Sequence, residues 1–264
     1  MSNALIGYSG FVGTTLLKQS SFDCLYRSTN IGEIKGKHFD IVVCAGAPAQ
    51  KWIANREPAG DREKIEGLIT HLKSMTCKTL VLISTVDVFK NPIGVDEVTS
   101  VEESGLHAYG LHRRLLEQFV ESHFSRYLIV RLPGLVGPGL RKNVIFDLLN
   151  DNNLQAIDSR GVFQFYPMVN LWYDIQAALD SGLKLVHLTA EPISVAEVSS
   201  QGFGMPFEQV QVNIPASYDM RTRHAQIFST SGHYQYSRRE TIQAVRAYAQ
   251  SEPRTLKEVQ GKST

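Results

Sequence analysis

The sequence has little of what would mark several functional classes. It holds three cysteines in 264 residues, Cys24, Cys44 and Cys77, widely spaced and odd in number. There is no Cys-x-x-Cys pair and no Cys/His cluster, so neither a disulfide framework nor a metal site is suggested. Net charge is nearly absent as well: 27 Lys and Arg against 26 Asp and Glu leave +1. A protein that coats nucleic acid carries a far stronger positive balance. No apolar run approaches the roughly 20 residues needed to span a bilayer. No basic stretch followed by an apolar one opens the chain, and no repeat or low-complexity tract interrupts it. The expectation is a soluble, reduced, cytoplasmic protein whose partners include neither membrane nor nucleic acid.

What is present is a globular composition, 43% hydrophobic and 20% charged. The length suits one large domain or a domain with an appended lobe. Short apolar runs at residues 4–6, 41–45, 80–83, 128–130 and 184–188 alternate with segments of helical period. Ile65, Leu68, Ile69 and Leu72 share one helical face; Leu115, Leu116, Phe119 and Val120 share another. Strands that are apolar throughout need cover on both faces, and amphipathic helices between them supply it. The pattern predicts an α/β fold with a doubly wound parallel sheet of Rossmann type. Past Gly137 the rhythm gives way to turn-rich, irregular sequence. The expected organisation is a core over 1–137, with 165–190 returning to it. A small C-terminal lobe is expected from 138–164 and 191–235, then a helix over 236–251 and a polar tail over 252–264.

Between the first strand and the first helix lies Gly7-Tyr8-Ser9-Gly10-Phe11-Val12-Gly13. This Gly-x-x-Gly-x-x-Gly is one residue longer in its first gap than the usual dinucleotide fingerprint. One glycine makes the turn, one lets backbone approach a pyrophosphate, and one lets helix and strand pack closely. The helix start then offers free N–H groups to phosphate. Gly7, Ser9, Gly10, Phe11, Val12 and Gly13 are therefore candidate cofactor contacts. The competing reading is a glycine turn retained for packing. The second strand is expected to end near Tyr26-Arg27, followed by Ser28 and Thr29 with no acid to accept from an adenosine ribose. A guanidinium at Arg27 and a hydroxyl at Ser28 suit a 2′-phosphate, which favours NADP(H) over NAD(H). Alternatively Arg27 is a solvated loop residue.

The run at 80–83 leads into Ser84-Thr85-Val86-Asp87-Val88-Phe89, and a later helix opens with Tyr109-Gly110-Leu111-His112-Arg113. A hydroxyl at a strand end and a tyrosine on a facing helix can both reach a carbonyl held over a nicotinamide. A cation four residues after the tyrosine shares its helix face. It can lower the tyrosine pKa and bond to ribose while the phenol shuttles a proton. Thr85, Tyr109 and Arg113 are the candidate catalytic residues, Tyr109 and Arg113 being cofactor contacts too. Singly, Thr85 reads as a cap and Tyr109 as a surface aromatic; their joint spacing behind a glycine loop makes the catalytic reading. Asp87 reads as a structural acceptor or substrate contact, and His107 and His112 as rim or surface.

Together these residues resemble the extended short-chain dehydrogenase/reductase superfamily, of the NAD-dependent epimerase/dehydratase type. They are most similar to its dTDP-4-dehydrorhamnose reductase branch. The resemblance runs from Leu5 to about Asp174. It implies that Ala45, Gly46 and Ala47 run beside the cofactor. Leu132 and Pro133, in the Arg131-Leu132-Pro133-Gly134-Leu135-Val136-Gly137-Pro138 segment, would pass the nicotinamide carboxamide. It implies a nucleotide-sugar substrate gripped by the lobe, with Asn143 and Arg221 as candidate contacts among the polar segments 141–143 and 218–223. It implies a homodimer, and a structural role for Asp174. Two departures matter. The family's motif is Tyr-x-x-x-Lys, whereas Arg113 keeps the charge but cannot pass a proton. Val86 replaces the acid of sugar dehydratases, which leaves an oxidoreductase or epimerase. The rival from another class is a cofactor-binding, non-catalytic redox sensor or scaffold.

Overall fold

The computed structural model describes residues 2–254. Its centre is a six-stranded, all-parallel sheet built from β1 (Asn3–Ile6), β2 (Cys24–Tyr26), β3 (His38–Cys44), β4 (Thr76–Thr85), β6 (Tyr127–Leu132) and β10 (Leu185–His187). The spatial order is β10-β6-β4-β3-β1-β2. The chain therefore leaves β1 to one side for β2 and to the other for β3. That reversal opens a crevice at the carboxyl ends of β1 and β3, where open α/β sheets bind ligands.

Side-chain alternation divides the core. Leu5, Val43, Val81 and Val130 face one side, under α1 (Phe11–Gln19) and α6 (Leu171–Asp180), with Leu16, Leu171 and Ile175 in the same cluster. Ala4, Ile6, Val42, Leu80, Leu82 and Ile129 face the other, under α3 (Pro58–Lys73) and α4 (Ala108–His123). The face Ile65-Leu68-Ile69-Leu72 is the buried stripe of α3, whose start carries Pro58 where a missing N–H costs nothing. A short helix, α2 (Lys51–Arg56), precedes it.

Three two-stranded ladders build the rest. They are β5 (Ile93–Val95) with β12 (Asp219–Met220), β7 (Gly134–Val136) with β9 (Phe165–Pro167), and β8 (Val162–Phe163) with β11 (Ile193–Ser194). Residues 93–95, expected within the core segment, thus pair with a strand of the later part of the chain. A third apolar cluster joins α5 (Val144–Asn150) to α8 (Arg238–Ser251) through Ile145, Leu148, Phe165, Ile242 and Val245. Ser194 and Glu197 form a capping box on the single turn α7 (Val195–Glu197). Ser237 and Glu240 do the same for α8, which fixes its start at Arg238 rather than the expected 236. Residues 255–264 of the expected tail lie outside the described residues. No helix among the described residues is long and apolar enough to cross a membrane.

Candidate active site

The glycine loop occupies the crevice. The Gly7 N–H donates to the Tyr26 carbonyl at 2.7 Å, and the Ala45 N–H to the Ile6 carbonyl at 2.9 Å, which lashes the ends of β1, β2 and β3 together. A Cβ on Gly13 would lie 2.1 Å from the Gly7 carbonyl oxygen, so only glycine lets α1 start this close to β1. Gly10 precedes α1 with no side-chain cap, leaving the helix-start N–H groups without a side-chain acceptor. Ser9 and Gly10 are exposed, and Phe11 and Val12 are half-buried. Arg27 and Ser28 follow β2 in the open; the Arg27 guanidinium lies 5.8 Å from the ring centroid of Tyr8 in the loop. Ala45, Gly46 and Ala47 continue from β3, and Leu132 pairs in register with Thr85 just before Pro133. The sheet register thus sets the predicted cofactor positions along one edge.

Thr85 ends β4 at that edge, its Oγ1 accepting the Asp87 N–H at 3.1 Å. Tyr109 stands in the first turn of α4. Two contacts hold that turn: the His107 Nδ1 accepts the Gly110 N–H at 3.0 Å, and the Asn55 side chain accepts the Tyr109 N–H at 2.9 Å. A Cβ on Gly110 would fall 2.0 Å from the Asp87 carbonyl oxygen. This close approach lets α4 press onto the chain after β4 and places the Tyr109 phenol near Thr85. Burial raises the phenol pKa; Arg113, Lys51 and the Thr85 hydroxyl pull it down, Asp87 pushes it up, and the net shift is upward.

Arg113 is placed differently from expectation. Its guanidinium lies 3.9 Å from the Tyr109 ring centroid, a cation–π contact. Its terminal nitrogens are consumed by the protein. They reach Asp61 of α3 at 2.5 and 3.0 Å, the Tyr109 carbonyl at 3.3 Å, and the Pro48 carbonyl. Nε is buried without a partner. The side chain is 3% exposed, so the charge is a fixed, neutralised element of the interior rather than a free ribose ligand. His112, expected at the rim, is buried too, its Nδ1 2.7 Å from the same Asp61. The reason is one acid beneath two consecutive side chains, which composition and spacing do not reveal.

Sequence reasoning also missed Lys51. It opens α2, and its Nζ lies 2.7 Å from Asp87 Oδ1 and 3.3 Å from the Tyr218 hydroxyl. Tyr218 reaches Asp87 from the C-terminal part at 3.3 Å and stacks on Phe163, ring centroids 5.5 Å apart. Burial lowers the Lys51 pKa, but Asp87 and Tyr218 outweigh it and the ammonium form is favoured. Phe163 also lines a cavity of about 360 Å³ with Val144, Asp147, Asp158, Gln211 and Asn213. The two expected substrate contacts are engaged within the protein. Asn143 caps α5 by accepting from Ile145 and donating to the Leu135 carbonyl. Arg221 pairs with Asp219 at 2.7 Å.

A buried ionic cluster fixes α4 from below. Glu117 is fully buried and receives Arg131 at 2.7 and 2.9 Å, Ser84 at 2.6 Å and Arg114 at 3.0 Å. It ties the helix that carries Tyr109 to the strands β4 and β6. Asp174 accepts from Tyr166 at 2.5 Å and Tyr236 at 3.1 Å, an interior role.

No protein-family model matches the chain, and no curated protein matches it. Solved structures do. MoeE5 in complex with UDP-glucose and NAD is 15% identical, with a TM-score of 0.71 over 95% of this chain and 99% of that one. The dTDP-4-dehydrorhamnose reductase of Bacillus anthracis in complex with NADP is 17% identical, with 0.70 over 94% and 98%. The UDP-N-acetylglucosamine 4-epimerase of Methanobrevibacter ruminantium, bound to UDP-N-acetylmuramic acid, is 12% identical, with 0.71 over 94% and 97%. Sheet order, crossover helices and these likenesses agree that the chain has a Rossmann-type α/β fold.

Proposed function

We propose that the protein is an NADP(H)-dependent oxidoreductase or epimerase acting on a keto or hydroxyl carbon of a nucleotide-activated sugar. The observation that carries the reading is the meeting of Thr85 and Tyr109 at the carboxyl edge of the sheet that also holds the glycine loop. The loop fits a dinucleotide. Its glycines allow close backbone approach, its helix start is uncapped, and it lies at the switch point. Gly7 to Gly13 would hold the pyrophosphate, Arg27 and Ser28 a 2′-phosphate, and Ala45–Ala47 with Leu132 and Pro133 the nicotinamide end. A nicotinamide nucleotide, when bound, supplies or accepts hydride. Thr85 orients the substrate oxygen, and Tyr109 gives a proton to that oxygen or takes one from it. The cavity beside Phe163 would take the far end of the substrate; its volume is within the range of small-molecule sites.

Asp87, already paired with Lys51 and Tyr218, is a substrate-facing acceptor rather than a general acid. A second reading, a nicotinamide-binding protein without turnover, draws on the engagement of Arg113 by Asp61. Titration of the protein with NADPH and NADH, read by fluorescence of the bound nicotinamide, tests the first step. Tighter NADPH binding is expected; no binding of either overturns the proposal. Tyr109→Phe separates the two readings. In an enzyme it lowers turnover by about 10² to 10⁴-fold with cofactor affinity unchanged.

A further inference from the structure

Arg113 cannot serve as an acid–base partner for Tyr109. Guanidinium keeps its proton in proteins, and this one is held by the buried carboxylate of Asp61. Another cation, Lys51, stands near the phenol on α2, the helix whose Asn55 side chain accepts the Tyr109 N–H. Lys51 leads through Asp87, 2.7 Å away, to Thr85, whose Oγ1 is 3.5 Å from Asp87 Oδ2 and accepts the Asp87 N–H. The Thr85 hydroxyl is also close enough to the Tyr109 phenol to favour its ionised form. The Lys51 side chain is 39% exposed, so the outer end of the line meets solvent while its inner end is Tyr109.

We propose that Lys51 and Asp87, paired at 2.7 Å, form the positioning pair of this site. Lys51 provides a solvent-reached ammonium at the site, paired with Asp87, whereas Arg113 supplies a charge buried against Asp61. This rests on the reading of Tyr109 as the proton-transferring group. The charged and titratable groups around the phenol divide by element. Arg113 and His112 come from α4, Asp61 beneath them from α3, Lys51 from α2, and Asp87 from the turn after β4. His107 comes from the α4 cap, Tyr218 from the residue before β12, and Lys142, bonded to the Ala49 carbonyl, from the segment before α5. Of these, Asp87 raises the phenol pKa and Lys51 lowers it, and the two are paired with each other. Removing either therefore has an effect opposite in sign to removing the other.

The test uses the full chain labelled with ¹³Cζ-tyrosine, the Tyr109 resonance being the one lost in Tyr109→Phe. Its pKa is read by NMR in the wild type, Lys51→Met, Lys51→Arg and Asp87→Asn. Lys51→Met leaves Asp87 without its lysine partner, and the Tyr109 pKa should rise by about one unit; Asp87→Asn should lower it by about as much. Lys51→Arg restores the charge and should return it near the wild-type value. Shifts of equal sign in Lys51→Met and Asp87→Asn, or none in either, overturn the proposal. The remaining tyrosine resonances report whether each variant is folded. NADPH titration of the same samples separates the two claims. Absent cofactor binding with the opposed shifts intact removes the proposed function and leaves the coupling standing.

Discussion

Asp61 shows how a single side chain decides what a motif position can do. It is 7% exposed, and it binds Arg113 through two oxygens and His112 through one of them. Asp61→Asn leaves a buried guanidinium without its counter-ion. The expected loss of stability is about 3–5 kcal/mol, read by urea unfolding. Burial alone would raise the Asp61 pKa; Arg113 and His112 override it and hold the carboxyl below its ordinary value. A carboxylate depressed in the folded state contributes stability above its unfolded pKa, near 3.9. That contribution is lost as pH falls through the lower folded value. Arg27 carries a separate expectation: Arg27→Ala should cut the preference for NADPH over NADH by at least tenfold, measured by paired titrations, since a 2′-phosphate would lose its charged donor. The placement of Thr85 at a strand end and of Tyr109 at a helix start is legible in the sequence because each leaves a local signature. That of Asp61 and Lys51 is not, because they reach their partners across 52 and 36 residues of chain. Only the packing of α2 and α3 against α4 brings them in.

At the scale of elements, α4 is the part whose placement matters most. Its first turn is set by His107 and by the contact of Gly110 with the Asp87 backbone, and its middle by Glu117 on Arg131 and Ser84. Gly110→Ala must separate the helix start from the chain after β4. Turnover should fall at least tenfold, a loss of about 1.4 kcal/mol or more in transition-state binding. Cofactor affinity, set by α1 and its loop, should change far less. A parallel loss of both would instead mean that the whole crevice moves. The periodic faces of α3 and α4 could be read from apolar spacing, and the sheet strands from their uniform hydrophobicity. The short ladders could not, because two- and three-residue strands carry no period. Val162–Phe163 and Asp219–Met220 are defined only by the partners they find.

On the scale of the molecule, His187 joins the sheet to the later part of the chain. Its Nδ1 pairs with the Arg221 carbonyl at 2.9 Å, so that nitrogen carries the hydrogen, and Nε2 faces Arg131 at 3.4 Å. Burial, aided by Arg131 and opposed by Glu97, pushes its pKa down to about 4. Unfolding frees a histidine that titrates near 6.5. Stability is therefore full above pH 6.5 and declines toward pH 4, by up to about 1.4 kcal/mol per pH unit. His187→Gln should flatten that part of the unfolding profile; an unchanged slope would show that another group governs it. The order of the sheet has a consequence for synthesis. From β1 onward, β3, β4, β6 and β10 each add to the edge left by the strand before, so spatial order follows the order in which the chain is made. The nascent sheet can grow strand by strand without waiting for a distant insertion. Until residue 187 emerges, however, its advancing edge stays open to pairing with another chain. Both finished edges, β2 and β10, are three residues long, which leaves few unpaired backbone groups once growth has ended.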